Sequence, residues 1–144
     1  LAPLQVSQSG LNTGLYTPSA TEATYARLAT LAETVTQAGY PVIIDAACLY
    51  RWQRNLFSEL AHRLGLPYLI LDCHAPVDVM RQRIVARHND PSEATLAVLE
   101  QQLASAETLA ADELPCCISV DSTDDYLPAV LNQIRLYLQA PRCL

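Results

Sequence analysis

Lysine is absent from the chain. All nine basic residues are arginine, against fifteen acids, for a net charge of -6 over 144 residues. A phosphate loop of the form GxxxxGK[ST] therefore cannot be completed within these residues, because its lysine has no source here. The acid excess excludes a general nucleic-acid surface but leaves room for local arginine groups that grip phosphates. No apolar run approaches the roughly 20 residues that a membrane-spanning helix needs, and no secretory leader pattern is present. The five cysteines, Cys48, Cys73, Cys116, Cys117 and Cys143, show no CxxC spacing. A strand would point the adjacent pair Cys116 and Cys117 to opposite faces, so buried reduced thiols in a cytoplasmic setting are expected rather than a disulfide framework. His62, His74 and His88 lack the i, i+4 spacing of a helical zinc pair.

What is present is apolar and periodic. Hydrophobic residues make up 51% of the chain, enough for one domain with a two- or three-layer core. Residues 1–15, LAPLQVSQSGLNTGL, carry no charge and read as an N-terminal loop. The start on Leu1 rather than methionine fits a processed or excerpted sequence with more chain upstream. From residue 16 onward the pattern is that of a folded domain. Thr17 and Pro18 form a helix start, and Leu28, Leu31, Ala32, Val35 and Ala38 repeat at three- and four-residue steps up to Gly39, the expected left-handed stop.

Pro41–Tyr50, PVIIDAACLY, is the centre of the reading. Val42, Ile43 and Ile44 are β-branched and too few for a helix, so a short buried strand is expected, ending on Asp45. An acid at the carboxyl end of a parallel strand can hold a metal or orient a reacting hydroxyl; it can equally cap the following turn. A second helix follows from about Arg51 to Leu64, with Leu56, Phe57, Leu60, Ala61 and Leu64 inward and Gly65 closing it. The strand YLILDC then ends on Asp72, and Pro76 opens a helix at Val77. Cys116–Val120 forms a third strand before Asp121, and a last helix runs from Asp124 to about Leu138 with Pro128 in its first turn. Short strands alternating with helices of this length predict an α/β fold: a three-layer arrangement with a parallel sheet and helices on both faces.

Between the second and third strands, about 77–109, two helices flank the break HNDP. Asp90, Pro91 and Glu93 supply the second start, and Leu96, Leu99, Leu103 and Ala106 its apolar face. The preceding helix carries RQRIVAR. Arg83 and Arg87 share a face and Arg81 points elsewhere, so at most two guanidiniums converge from it. Such a pair suits a phosphate clamp, or a solvated face paired with local acids.

The order of parts from Tyr16 to Glu107 resembles the C-terminal region of predicted P-loop kinases, AAA-type ATP-binding domains often fused to aminoglycoside phosphotransferase-like domains and similar to polynucleotide and gluconate kinases. The markers are YTP, VIIDA, the arginines after it, LDC, and RxRxxxR before DPSEA. The resemblance implies an ATP-dependent phosphotransferase fold in which Asp45 holds magnesium or orients the acceptor. Arg83 and Arg87 are then catalytic lid arginines in the region 77–109, and Arg51, Arg54 and Arg81 cofactor-binding. ATP, magnesium and a small-molecule phosphate acceptor are the implied partners of an intact form, with no cofactor for the 144 residues alone. Ala47 stands where the family usually has threonine, and the first strand and Walker A loop have no counterpart here. That strand would lie between those ending at Asp45 and Asp72. The two flanking strands are therefore expected to pair directly, or to borrow an edge from a neighbour, leaving an exposed edge that drives homo-oligomers. A degenerate, non-catalytic interaction module is the alternative.

Overall fold

The computed structural model describes residues 18–86, 95–123 and 127–139. In order they form α1 (Pro18–Gln37), α2 (Arg51–Arg63), β1 (Ile70–His74), α3 (Val77–Ala86), α4 (Leu96–Ser105), a 3-10 turn (Leu114–Cys116), β2 (Cys117–Asp121) and α5 (Leu127–Gln139). β1 and β2 pair in parallel, from Ile70 opposite Cys117 to His74 opposite Asp121. This is the expected α/β arrangement with a parallel sheet, and α5 packs on β2.

The helix ends follow from local chemistry. Pro18 opens α1, where its missing N–H costs nothing. Gly39 (φ +88°) and Gly65 (φ +64°) close α1 and α2. At each, the glycine amide and the one after it reach back to the last turn. Gly39 bonds to Thr36 and Tyr40 to Val35; Gly65 bonds to His62 and Leu66 to Ala61. The left-handed glycine supplies the reversal both pairs of bonds require. Thr95 caps α4, its side chain accepting from the Val98 amide. The expected caps at Thr17 and Asp90, with Pro91 and Glu93, lie outside the described residues, as does Asp124.

Packing divides into two small centres. Ile118 and Val120 alternate on one face of β2 and bury against Val130 of α5, with Leu69 and Ile134 beside them. Tyr25 and Ala32 of α1 meet Phe57 and Leu60 of α2. Tyr25 stands edge-on to Trp52 at 5.4 Å and tilted to Phe57 at 6.1 Å. The α1 stripe is only partly covered, since Leu31 and Val35 remain exposed.

Two expectations about strands are corrected. Val42–Ile44 is not a strand, and it does not pair with β1; Ile43 is 91% exposed. A strand exists only through its ladder, and a three-residue run after the N–H-less Pro41 can make few bonds where no neighbouring strand meets it. The sheet among the described residues therefore has two strands, and Leu71 of β1 is exposed at 41%. Asp72, expected as a strand end, sits in mid-strand opposite Ser119. The ladder begins two residues late because the Tyr68 carbonyl accepts from Tyr137 Oη at 2.6 Å, and the Cys116 amide is spent on the Glu113 carbonyl at 3.1 Å. It then runs on to His74 and Asp121.

Candidate functional site

The chain from Asp45 to Arg54 and the segment from Ser105 to Glu113 are laced together. Tyr50 N–H donates to Gln53 Oε1 at 3.0 Å, starting α2, and Tyr50 Oη donates to Ser105 Oγ at 3.1 Å. The Glu107 amide donates to the Leu49 carbonyl at 2.8 Å, while the Arg51 amide donates to Glu107 Oε2 at 2.6 Å. The Arg51 guanidinium reaches Asp112 at 2.6 Å on the exposed side.

Arg54 lies beneath this lacing, 5% exposed, beside Glu113 at 7%. Its Nε donates to Glu113 Oε1 at 2.6 Å and one terminal nitrogen to Oε2 at 3.1 Å. Glu113 Oε2 also accepts the Ala110 amide at 2.8 Å. The guanidinium holds the Glu113 carboxyl below the usual carboxylate range against the opposing effect of burial, and the carboxylate raises Arg54 further. Burial pushes the hydroxyls of Tyr25 and Tyr68 and the thiols of Cys48 and Cys116 upward, so these groups stay neutral at ordinary pH. Cys48, Cys73, Cys116 and Cys117 all carry free thiols.

The α3 arginines diverge as the spacing predicts. Arg81 bridges to α4 through Glu100 at 2.8 Å and to Asp78 at 3.2 Å. Arg83 turns to the carboxyl end of the sheet, where its two terminal nitrogens donate to Ser122 Oγ and the Ser122 carbonyl, each at 2.7 Å. His74 and Ser119 are bonded at 2.9 Å on the same two strands. Asp121 accepts from the side chain and amide of Thr123 at 2.7 and 2.9 Å, and chiefly those bonds lower its pKa.

Asp45 is exposed and takes part in none of these bonds. Arg51 and Arg54 are brought together on the 105–113 segment; Arg81 and Arg83 are separated; Arg87 lies outside the described residues. Sequence reasoning missed Tyr25, Glu113 and Ser122. Tyr25 extends the apolar stripe by one turn, three residues before Leu28 and seven before Ala32, but that spacing assigns no partner to its hydroxyl; Glu113 is one acid among several, and Ser122 is small and polar beside a strand end.

The family profile described as an AAA domain matches residues 3–109, which is 107 of the 144 residues. The chain belongs to this family. It is a P-loop kinase-like AAA domain with the parallel α/β fold that membership entails. No curated protein and no solved structure gives a significant match. Among the described residues no cluster of three or more His, Cys, Asp or Glu side chains is placed to hold a metal, and no helix is long and apolar enough to cross a membrane.

The residues present fit magnesium and nucleotide unevenly. Asp45 offers a free hard-oxygen ligand of the kind magnesium takes alongside phosphate oxygens. A triphosphate needs a cradle of backbone amides and a lysine, and no lysine exists in the sequence.

Proposed function

We propose that these residues form the acid- and arginine-bearing part of an ATP-dependent, cytoplasmic small-molecule phosphotransferase, with the phosphate loop supplied by residues beyond these 144. Membership of the AAA domain family over residues 3–109 carries the reading. Asp45, uncommitted at the head of a braced loop, orients the acceptor hydroxyl or holds magnesium through its carboxylate. Arg83 and Arg87 bind phosphoryl oxygens from the region 77–109, and Arg51 and Arg81 exchange their exposed ion pairs for nucleotide phosphate. Bound magnesium supplies charge neutralisation on the phosphates. Exposed pairs such as Arg51 with Asp112 are weakly held, so a phosphate can displace the carboxylate.

The test uses the natural polypeptide that contains these residues, γ-labelled ATP and a panel of small hydroxyl and amino acceptors. Transfer that falls at least about a hundredfold in Asp45→Ala, the scale of a positioned acid–base group, is expected. Unchanged turnover and metal dependence in that variant remove Asp45 from the site, and absence of both ATP binding and transfer overturns the reading.

One observation favours a second reading, a self-associating module without catalysis: the uncovered apolar residues Ile43 and Leu71. Exposed apolar side chains and an open strand edge are natural association surfaces. Light scattering on the 144-residue chain that returns a monomer at all concentrations rejects it.

A further inference from the structure

Cys48 is the one non-glycine residue among the described residues with positive φ, at +48°. A residue with a Cβ stays in the left-handed region only where its surroundings hold it there. Both backbone groups of Cys48 are held. Its N–H donates to Tyr25 Oη at 3.1 Å, and its carbonyl accepts from Arg54 at 3.1 Å. The two side chains come from different helices and are both buried, Tyr25 at 7% and Arg54 at 5% exposed. They set the turn by which the chain leaves Asp45 and enters α2.

The donor count of Arg54 decides its role. A guanidinium has five N–H bonds and no acceptor. The Nε–H goes to Glu113 Oε1; one terminal nitrogen serves the carbonyls of Cys48 and Glu107, at 3.1 and 3.3 Å. The other serves Glu113 Oε2 at 3.1 Å and the Thr108 carbonyl at 3.5 Å. Five donors meet five acceptors, and none remains for a phosphate oxygen.

We propose that Arg54, with Tyr25 and Glu113, is a positioning residue that fixes the Asp45–Tyr50 loop through Cys48, and that it is not a nucleotide ligand. The proposal rests on the reading of Asp45 as the acid of the transfer site. It divides the two arginines after Asp45: Arg51 faces solvent and can meet a ligand, and Arg54 builds the loop that presents the acid.

The test compares Tyr25→Phe and Arg54→Lys with the unsubstituted chain, using native-state amide exchange at residues 46–50 and the urea midpoint as a measure of global stability. Tyr25→Phe keeps the ring against Trp52 and Phe57 and removes one hydrogen bond. It is expected to speed exchange at Cys48 and its neighbours by about five- to tenfold, the equivalent of one net hydrogen bond, with a smaller effect in α5. Cys48→Gly, which accepts φ +48° without a Cβ, is expected to slow that exchange again in the Tyr25→Phe background. In the phosphate-loop-bearing polypeptide, both single variants are expected to lower turnover while leaving ATP affinity unchanged. Loop exchange unaltered in Tyr25→Phe overturns the proposal. So does an Arg54→Lys variant that loses ATP affinity with loop exchange intact, which identifies a phosphate ligand. The exchange readout needs no activity, so a failure of the phosphotransferase reading is distinguishable from a failure of this one.

Discussion

Replacing Glu113 with glutamine tests the buried ion pair at the centre of the site. The carboxylate accepts three donors on two oxygens: Arg54 Nε on Oε1, and an Arg54 terminal nitrogen and the Ala110 amide on Oε2. A glutamine of the same shape keeps one accepting oxygen and turns an NH2 group toward donors on the other side. It also leaves the Arg54 charge, 5% exposed, without its counter-charge. Removing one partner of a buried pair costs about 3 to 5 kcal/mol. Domains of this kind have total stabilities of about 5 to 15 kcal/mol, so Glu113→Gln should consume a large fraction of the total. The assay is urea unfolding by circular dichroism at pH 7. A double-mutant cycle with Arg54→Met should recover part of the loss, because the methionine leaves no orphaned charge. A loss below about 1 kcal/mol, the range of exposed pairs, refutes the argument that the pair is dry.

The same pair fixes a pH dependence. The folded-state pKa of Glu113 is depressed, chiefly by the Arg54 guanidinium. Its stabilising contribution is therefore complete above the unfolded carboxyl value of about 4.3 and is lost as pH falls through the folded value. Unfolding midpoints should drop more steeply with acid below about pH 4.3 in the natural chain than in Glu113→Gln, which has no carboxyl to titrate there. Parallel pH profiles for the two would remove Glu113 as the source.

Other outcomes follow from particular contacts. Among the described cysteines Cys73 is exposed and should react with a thiol reagent ahead of Cys48 and Cys116, whose thiols burial raises; equal rates would contradict the burial pattern. Gly65→Ala should destabilise by about 1 kcal/mol because of its positive φ, although a Cβ there meets no atom within 4 Å. Arg83→Lys keeps the charge and loses the fork that grips Ser122 at two points, so in a transfer-competent polypeptide it should slow turnover; a wild-type rate would assign Arg83 to a solvated face.

The periodic parts of the chain were legible because one cause decides each of them. Apolar spacing with a glycine stop specifies α1 and α2, and the bounds differ from expectation by a residue or two. β2 was legible for the same reason: Ile118 and Val120 alternate inward within a run that begins after Pro115 and ends at Asp121. β1 was displaced because the Tyr68 carbonyl accepts from the Tyr137 hydroxyl and the Cys116 amide is spent on the Glu113 carbonyl, so these backbone groups stay out of the ladder. No local pattern encodes a hydroxyl arriving from 69 residues away.

The candidate site was legible by residue type and illegible by role, and Arg51 and Arg54 show why. Both follow Asp45, both are arginine, and they lie three residues apart on one helix, so spacing treats them alike. Their environments separate them. Arg51 sits in the first turn of α2 beside Asp112 in solvent, where its charge is available to a ligand. Arg54 faces inward on the same side as Phe57 and Leu60, so its charge had to be met by an acid from elsewhere in the chain, and Glu113 arrives from 59 residues away. Burial of a charge is affordable only with such a partner, and the partner's identity is a tertiary fact. The division of labour between an arginine that builds and an arginine that binds therefore follows from which face of α2 the core claims: Arg54 lies on the face of Phe57 and Leu60, and Arg51 lies outside it.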